Sequence, residues 1–250
     1  MKKLLILGLM AALFLMLTAC GDTTDPQTKI DTAAFYPNAD DNMWQYQESG
    51  NDNDTNTWQL ENDDFTTANQ TMFIHDDADP AEEYIAMSIN DNETDTLKML
   101  ALFWYDTNGL DRYDTFDNTP WTLLKWDDYG LEVGDTWDSL NTSGRDKDFW
   151  GFSGASCDTV GFDLDGEVKE KITYDYKGTS LTAYLIEHTG KVTFEVTGVD
   201  PEDWDQYNYQ QDFVFVPKLG FVKMVSYTES YGQMTPNVTE NLIDTNVTLP

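Results

Sequence analysis

Apolar and polar side chains alternate with a period of two along several stretches of this chain, and that pattern excludes most helical folds. In 169–176, Ile172, Tyr174 and Tyr176 alternate with Lys171, Thr173 and Asp175; in 191–197, Val192, Phe194 and Val196 alternate with Thr193 and Glu195. An extended strand sends such residues to opposite faces, one packed and one wet. The run 97–105 is more continuously apolar, as a central strand would be, and 84–89, 181–186, 213–216 and 221–227 complete the clearest set. Apolar residues spaced i, i+3, i+4, i+7 rarely persist for more than two turns.

The breaks between these runs carry turn chemistry. Asn51-Asp52-Asn53-Asp54, Asn90-Asp91-Asn92, Thr107-Asn108-Gly109, Asp165-Gly166 and Lys177-Gly178 read as turns. Asp and Asn tolerate the left-handed conformation, and Gly adopts it freely. Asp163-Leu164-Asp165-Gly166 reads as a β-turn ahead of a strand at 168–176, and Pro217-Lys218-Leu219-Gly220 as a hairpin connection. The expectation is an all-β fold, an antiparallel meander of about ten to twelve strands forming an open or closed barrel or sandwich.

The start of the chain obeys different rules. Lys2 and Lys3 precede an uncharged run from Leu4 to Leu17. That run is shorter than the roughly 20 apolar residues a spanning helix needs, so it reads as a secretory signal. Leu17-Thr18-Ala19-Cys20 closes it. This tetrapeptide resembles the lipobox of bacterial lipoproteins, which implies cleavage before Cys20 and acylation of its thiol and amino group. Residues 1–19 are then the signal peptide, 20–34 the lipidated cysteine and a polar tether, and 35–250 a single β-rich domain. Two or more acyl chains would hold the product on a membrane surface without a spanning helix. Gly21 follows the cysteine where Asp would signal inner-membrane retention in enteric bacteria, which favours the outer membrane, facing the periplasm.

Charge narrows the partners. The 250 residues carry 46 Asp and Glu against 14 Lys and Arg, a net of −32. Without residues 1–19 the balance is 12 basic against 46 acidic side chains, a net of −34. Nucleic acid is excluded as a partner, because phosphate binding is driven by Lys and Arg. Anionic lipid would repel the same surface, so the acyl chains must do the anchoring. An aromatic content of 14% argues against a wholly disordered chain. With Cys20 acylated, Cys157 has no partner for an intramolecular disulfide and reads as a small buried hydrophobe.

Three segments carry a family likeness. They are Tyr36-Pro37 followed by Trp44-Gln45-Tyr46, then Leu123-Leu124 leading to Gly134-Asp135-Thr136-Trp137, and last 213–223, from Phe213-Val214-Phe215-Val216-Pro217 to Gly220-Phe221-Val222-Lys223. Together they resemble a group of uncharacterised bacterial lipoproteins, with Asp41 standing where the first Gly is usual. The resemblance implies a β-rich periplasmic domain, related in shape to the curved half-barrels of lipoprotein carriers, and supplies no catalytic residues. Asp41-Asn42-Met43-Trp44 and Gly134-Asp135-Thr136-Trp137 also echo one another, each setting a Trp behind a turn-like residue. Coincidence reads slightly ahead of a duplicated unit.

Candidate site residues stand beside plainer readings. The turn acids read first as a solvated surface. Asp52, Asp54, Asn56 and Asp63 fall at positions 1, 3, 5 and 12 of an EF-hand-like register, the one calcium candidate, although Thr57 stands where that loop needs Gly. No other cofactor is expected. His75 and His188 read as ordinary half-buried strand residues, not zinc ligands. Gly151-Phe152-Ser153-Gly154-Ala155 lacks the last Gly of a nucleophile elbow and reads as a loop. Trp204, Tyr207 and Tyr209, and likewise Trp121, Trp126 and Tyr129, lie in acidic stretches suited to stacking a sugar, but core packing uses the same residues. The functional expectation is a membrane-anchored envelope lipoprotein with a non-enzymatic β domain binding a protein or apolar ligand. A glycan-binding lipoprotein is the alternative, and an envelope hydrolase ranks last.

Overall fold

The computed structural model describes residues 36–37, 41–49, 55–61, 71–76, 81–91, 94–106, 114–117, 121–127, 130–147, 152 and 154–249; for 71–117 it describes backbone pairing alone. The described residues hold thirteen strands: β1 (Met43–Glu48), β2 (Thr55–Glu61), β3 (Thr71–Asp76), β4 (Ala81–Asp91), β5 (Thr94–Asp106), β6 (Asp114–Asp117), β7 (Trp121–Lys125), β8 (Thr136–Asp146), β9 (Thr159–Tyr176), β10 (Thr179–Glu195), β11 (Asp205–Val216), β12 (Gly220–Ser230) and β13 (Gln233–Thr245). The fold is all-β, and a 3-10 turn at Pro201–Asp203 precedes β11. Among the described residues no helix is long and apolar enough to cross a membrane.

All strands belong to one antiparallel sheet in the order β6-β5-β4-β3-β2-β1-β13-β12-β11-β10-β9-β8, with β7 on the free side of β5. The sheet is two meanders, β1–β6 and β8–β13, joined where the first strand pairs with the last. Its two ends approach each other, since β7 lies against β8 and β9, but no backbone ladder closes that seam among the described residues. Hairpin chemistry explains the tight connections. Lys177 and Gly178 have φ of 50° and 83°, and Tyr231 and Gly232 have 52° and 74°. Positive φ at both central residues is the type I′ geometry that matches strand twist.

The sheet curls strongly. Lys177, at the tip of the β9–β10 hairpin, forms an ion pair with Asp244 of β13, three strands away in sheet order. In a flat sheet those strands would stand about 14 Å apart. β-Bulges at Leu185/Ile186, Val214/Phe215 and Ser226/Tyr227 supply curvature by adding local twist.

One expected break is absent. Asp165-Gly166 is not a turn: β9 runs through it from Thr159, with Gly166 paired to His188 and Trp137. A Cβ on Gly166 would sit 2.3 Å from the Trp137 ring, so this glycine makes room for an indole, not a reversal. The runs 181–186 and 191–195 lie in one strand, β10. The break readings hold at Lys177-Gly178 and at the β11–β12 connection, where Lys218 has φ of 68°, while those at 51–54, 92 and 107–109 lie outside the described residues.

Residues 36 and 44–46 meet 213–223 in the core. Trp44 donates its indole N–H to the Leu219 carbonyl at 2.7 Å, and Tyr46 donates its hydroxyl to the Phe221 carbonyl at 2.8 Å. Tyr36 stacks on Phe215 with centroids 6.2 Å apart, and burial drives the Tyr36 and Tyr46 hydroxyls well above the usual tyrosine range. Trp137, in the mid-chain copy, donates to the Thr122 carbonyl at 3.0 Å. The echo between the two Trp segments is therefore geometric. Asp41 and Gly134 both have positive φ, 63° and 97°, and Trp44 and Trp137 are each the second residue of a strand that opens a meander. Each indole lies against a glycine, Gly220 or Gly166. Asp can replace Gly at position 41 because it tolerates the left-handed region.

Trp44→Phe keeps the ring but leaves the buried Leu219 carbonyl without its donor. Urea unfolding is expected to show a loss of about 1–3 kcal/mol, with an unchanged denaturant slope.

Candidate functional site

The seam between β7 and β8 holds the densest polar constellation in the described core. Two bulges face one another there. On β7, Leu124 pairs with Leu97 and Thr122 with Lys98, which leaves Leu123 opposite nothing. On β8, Asp138 pairs with Asp165 and Leu140 with Leu164, which leaves Ser139 opposite nothing. A bulge turns two successive side chains toward one face. Leu123 and Leu124, and Ser139 and Leu140, are accordingly buried pairs.

His188 of β10 bridges the two bulges. Its Nε2 lies 3.0 Å from the Leu123 carbonyl and its Nδ1 2.6 Å from Ser139 Oγ. A carbonyl only accepts, so Nε2 carries the proton and donates, and Nδ1 accepts the Ser139 hydroxyl. Trp121 donates its indole N–H to Ser139 Oγ at 2.9 Å. The imidazole stands at centroid distances of 5.9, 5.8 and 5.2 Å from the rings of Trp121, Trp137 and Phe213. His188 is fully buried, and burial lowers its pKa from 6.5 to about 4, partly opposed by its bond to Leu123.

This Ser–His contact has the distance of a nucleophile–base pair but not its setting. Such a pair needs a route to substrate and a third group that orients the base and supports its positive charge. Here the third group is a neutral carbonyl, and Ser139 and His188 are 3% and 0% exposed. Glu195, a buried carboxylate, accepts from the Gly144 N–H at 2.8 Å and the Thr159 hydroxyl at 2.7 Å, so it braces the end of β8 against β9. Both are scaffold networks. The expectation that His188 is half-buried is corrected: a bulge carbonyl and a bulge serine consume both ring nitrogens and let the ring go fully inside.

The outer face of the same seam is concave. A cleft of about 530 Å³ opens above β8 and β9, and a neighbouring one of about 220 Å³ reaches Trp126 and Asp127. Lys125 and Trp137 line both. Strand alternation divides the labour: Trp137 and Ser139 turn inward to the histidine, and Thr136 and Asp138 turn outward to the cleft.

The other sequence candidates are dispersed. Cys20 lies outside the described residues, as do Asp52, Asp54 and Asp63 of the calcium register. Asn56 lies in β2 opposite Tyr46, so the middle of that register is extended strand and not a coiled loop. Among the described residues no group of three or more His, Cys, Asp or Glu is placed to hold a metal ion. His75 is in β3, opposite Gln59 and Tyr84, far from His188 in sheet order. Ser153 and Tyr129 lie outside the described residues, and Cys157 is buried.

Tyr207 and Tyr209 fall on one face of β11 and lean on the core. Tyr207 lies 4.7 Å from Phe194 and Tyr209 6.5 Å from Phe162, while Trp204 donates its N–H to the Val196 carbonyl at 3.2 Å. Only Tyr207 of the three is exposed, at 43%. The seam itself went unread in the sequence. Its one local signal is the broken alternation at Leu123-Leu124 and Ser139-Leu140.

No family model matches the chain, and no curated protein matches it at a significant level. Among solved structures it is similar to the crystal structure of a protein described as a lipoprotein from Parabacteroides distasonis ATCC 8503, at 8% identity and a TM-score of 0.35, covering 85% of this chain and 98% of that one. A likeness at that level is too low to establish a shared fold.

His188 sets the direction of a pH effect. Its pKa is lower folded than unfolded, so the unfolded chain binds the extra proton first, and the stability it contributes above pH 6.5 drains away as pH falls toward 4. The full loss is about 3 kcal/mol. Urea unfolding at pH 7 and pH 4.5 is expected to show a smaller pH difference in His188→Gln than in the wild type, with the variant already less stable at pH 7.

Proposed function

We propose that this chain is a lipid-anchored protein of the bacterial envelope whose β body is a non-catalytic binding module. The anchor reading rests on Lys2-Lys3, the uncharged run to Leu17 and Leu17-Thr18-Ala19-Cys20. Thioether-linked diacylglycerol on Cys20, with a further chain on the new amino group, holds the body on a membrane, and Gly21 favours the outer membrane facing the periplasm. The tether 20–34 then sets the body off a surface its own charge avoids.

The observation that carries the binding-module reading is the division of polar groups at the seam. Inside, the serine and histidine hold strands together through both ring nitrogens. Outside, carboxylates, hydroxyls and a lysine face a cleft. Side chains of that kind suit recognition of a polar partner, and an apolar ligand finds little support there, because it would desolvate those groups without replacing their hydrogen bonds.

Growth of an expressing bacterium with labelled palmitate is expected to put label into the wild-type product and none into Cys20→Ala. Label in both, or in neither, would remove the anchor from this account. Ser139→Ala should act on stability, lowering it by about 1–3 kcal/mol through the lost network, and should leave binding by the folded protein intact.

A further inference from the structure

We infer that the outer cleft at the seam binds a neutral saccharide, a reading that rests on the binding-module function above and names its ligand class. The cleft is built from two adjacent cross-strand rows. Asp138 of β8 stands opposite Asp165 of β9, which stands opposite Thr189 of β10. Two residues along, Thr136 stands opposite Glu167. Lys125, the last residue of β7, reaches in from the other side of the seam.

Most of these groups are uncommitted. Among the described residues, the side chains of Lys125, Thr136, Asp138, Asp165 and Thr189 make no hydrogen bond or ion pair, and Glu167 alone is engaged, with Lys169 at 3.0 Å. Like charges directly opposite across a strand pair are destabilising, so Asp138 and Asp165 hold a position that folding does not favour. Five uncommitted polar side chains converging on a concave surface of about 530 Å³ fall within the size range of small-molecule sites.

The mixture of groups selects the ligand. An anion meets three carboxylates, and a multivalent cation meets the Lys125 ammonium in the same space. An apolar molecule would strip water from all of them. A neutral polyol satisfies both kinds: its hydroxyls donate to Asp138, Asp165 and Glu167, which only accept, and its oxygens accept from Lys125, which only donates. Bonds to ionised partners are the stronger kind, and the two threonine hydroxyls serve in either sense. The indoles of Trp137 and Trp126 border the clefts but are buried in the core, so recognition there falls to the polar side chains.

The test uses the full chain, purified in a zwitterionic detergent without a sugar headgroup. Calorimetric titration with maltotriose, cellotriose, laminaritriose and N,N′-diacetylchitobiose is expected to give saturable heat for at least one. Asp165→Ala and Lys125→Ala, both on the solvent face, are each expected to weaken that binding by about tenfold or more without lowering the melting temperature. Silence from all four sugars, or binding that survives both substitutions, overturns the inference. Spermine bound in their place and lost in Asp165→Ala also overturns the saccharide assignment, yet leaves the binding-module reading standing. Loss of palmitate labelling would bear on the anchor alone.

Discussion

A carbonyl in a dry interior needs a donor, and the bulged edge of β7 presents two, on Thr122 and Leu123, that receive theirs from side chains. Trp137 supplies one and His188 the other, with Ser139 and Trp121 completing the network. An unpaired buried carbonyl costs on the order of 1–3 kcal/mol, so these bonds do at the seam what a ladder does elsewhere. They let two sheet ends approach without matching in register. The neutrality of His188 belongs to the same constraint, since a charge at that point would have only rings, a carbonyl and a neutral hydroxyl around it.

The same device recurs at the other junction. Where the first and last strands pair, Trp44 and Tyr46 reach past β13 to carbonyls at Leu219 and Phe221. Each meander therefore begins with a left-handed residue, a strand start and an indole that ties it to a backbone elsewhere in the sheet. Glycine recurs beside both indoles because a flat ring close to a neighbouring strand leaves no room for a Cβ. These anchors bring residues 44–46 and 219–221 together in space although they lie far apart in sequence.

Burial and charge are partitioned by strand alternation. Side chains that turn inward on β8–β10 close the aromatic core around His188, while those one residue away turn out as Asp138, Asp165 and Thr189. A net charge of −32 keeps the outer surface hydrated. One strand pair thus serves as core wall on one side and as polar cleft on the other, and the shape of the cleft follows from the seam that the inner network holds shut.

Period-two alternation and turn residues determined by themselves that the chain would be an antiparallel β meander, because those signals are local and each strand carries its own. They also placed Lys177-Gly178 and Pro217–Gly220 at reversals. They misplaced Asp165-Gly166, since a glycine that clears an indole looks in sequence like a glycine that makes a turn. The joining of β1 to β13, the curl and the seam were decided only by tertiary structure. Ser139 and His188 are 49 positions apart, and Leu123 lies 65 positions from His188. No local pattern encodes which carbonyl a buried ring will meet. The reason is that a bulge shifts register by one residue, and only packing against the opposite strand settles where that shift is absorbed.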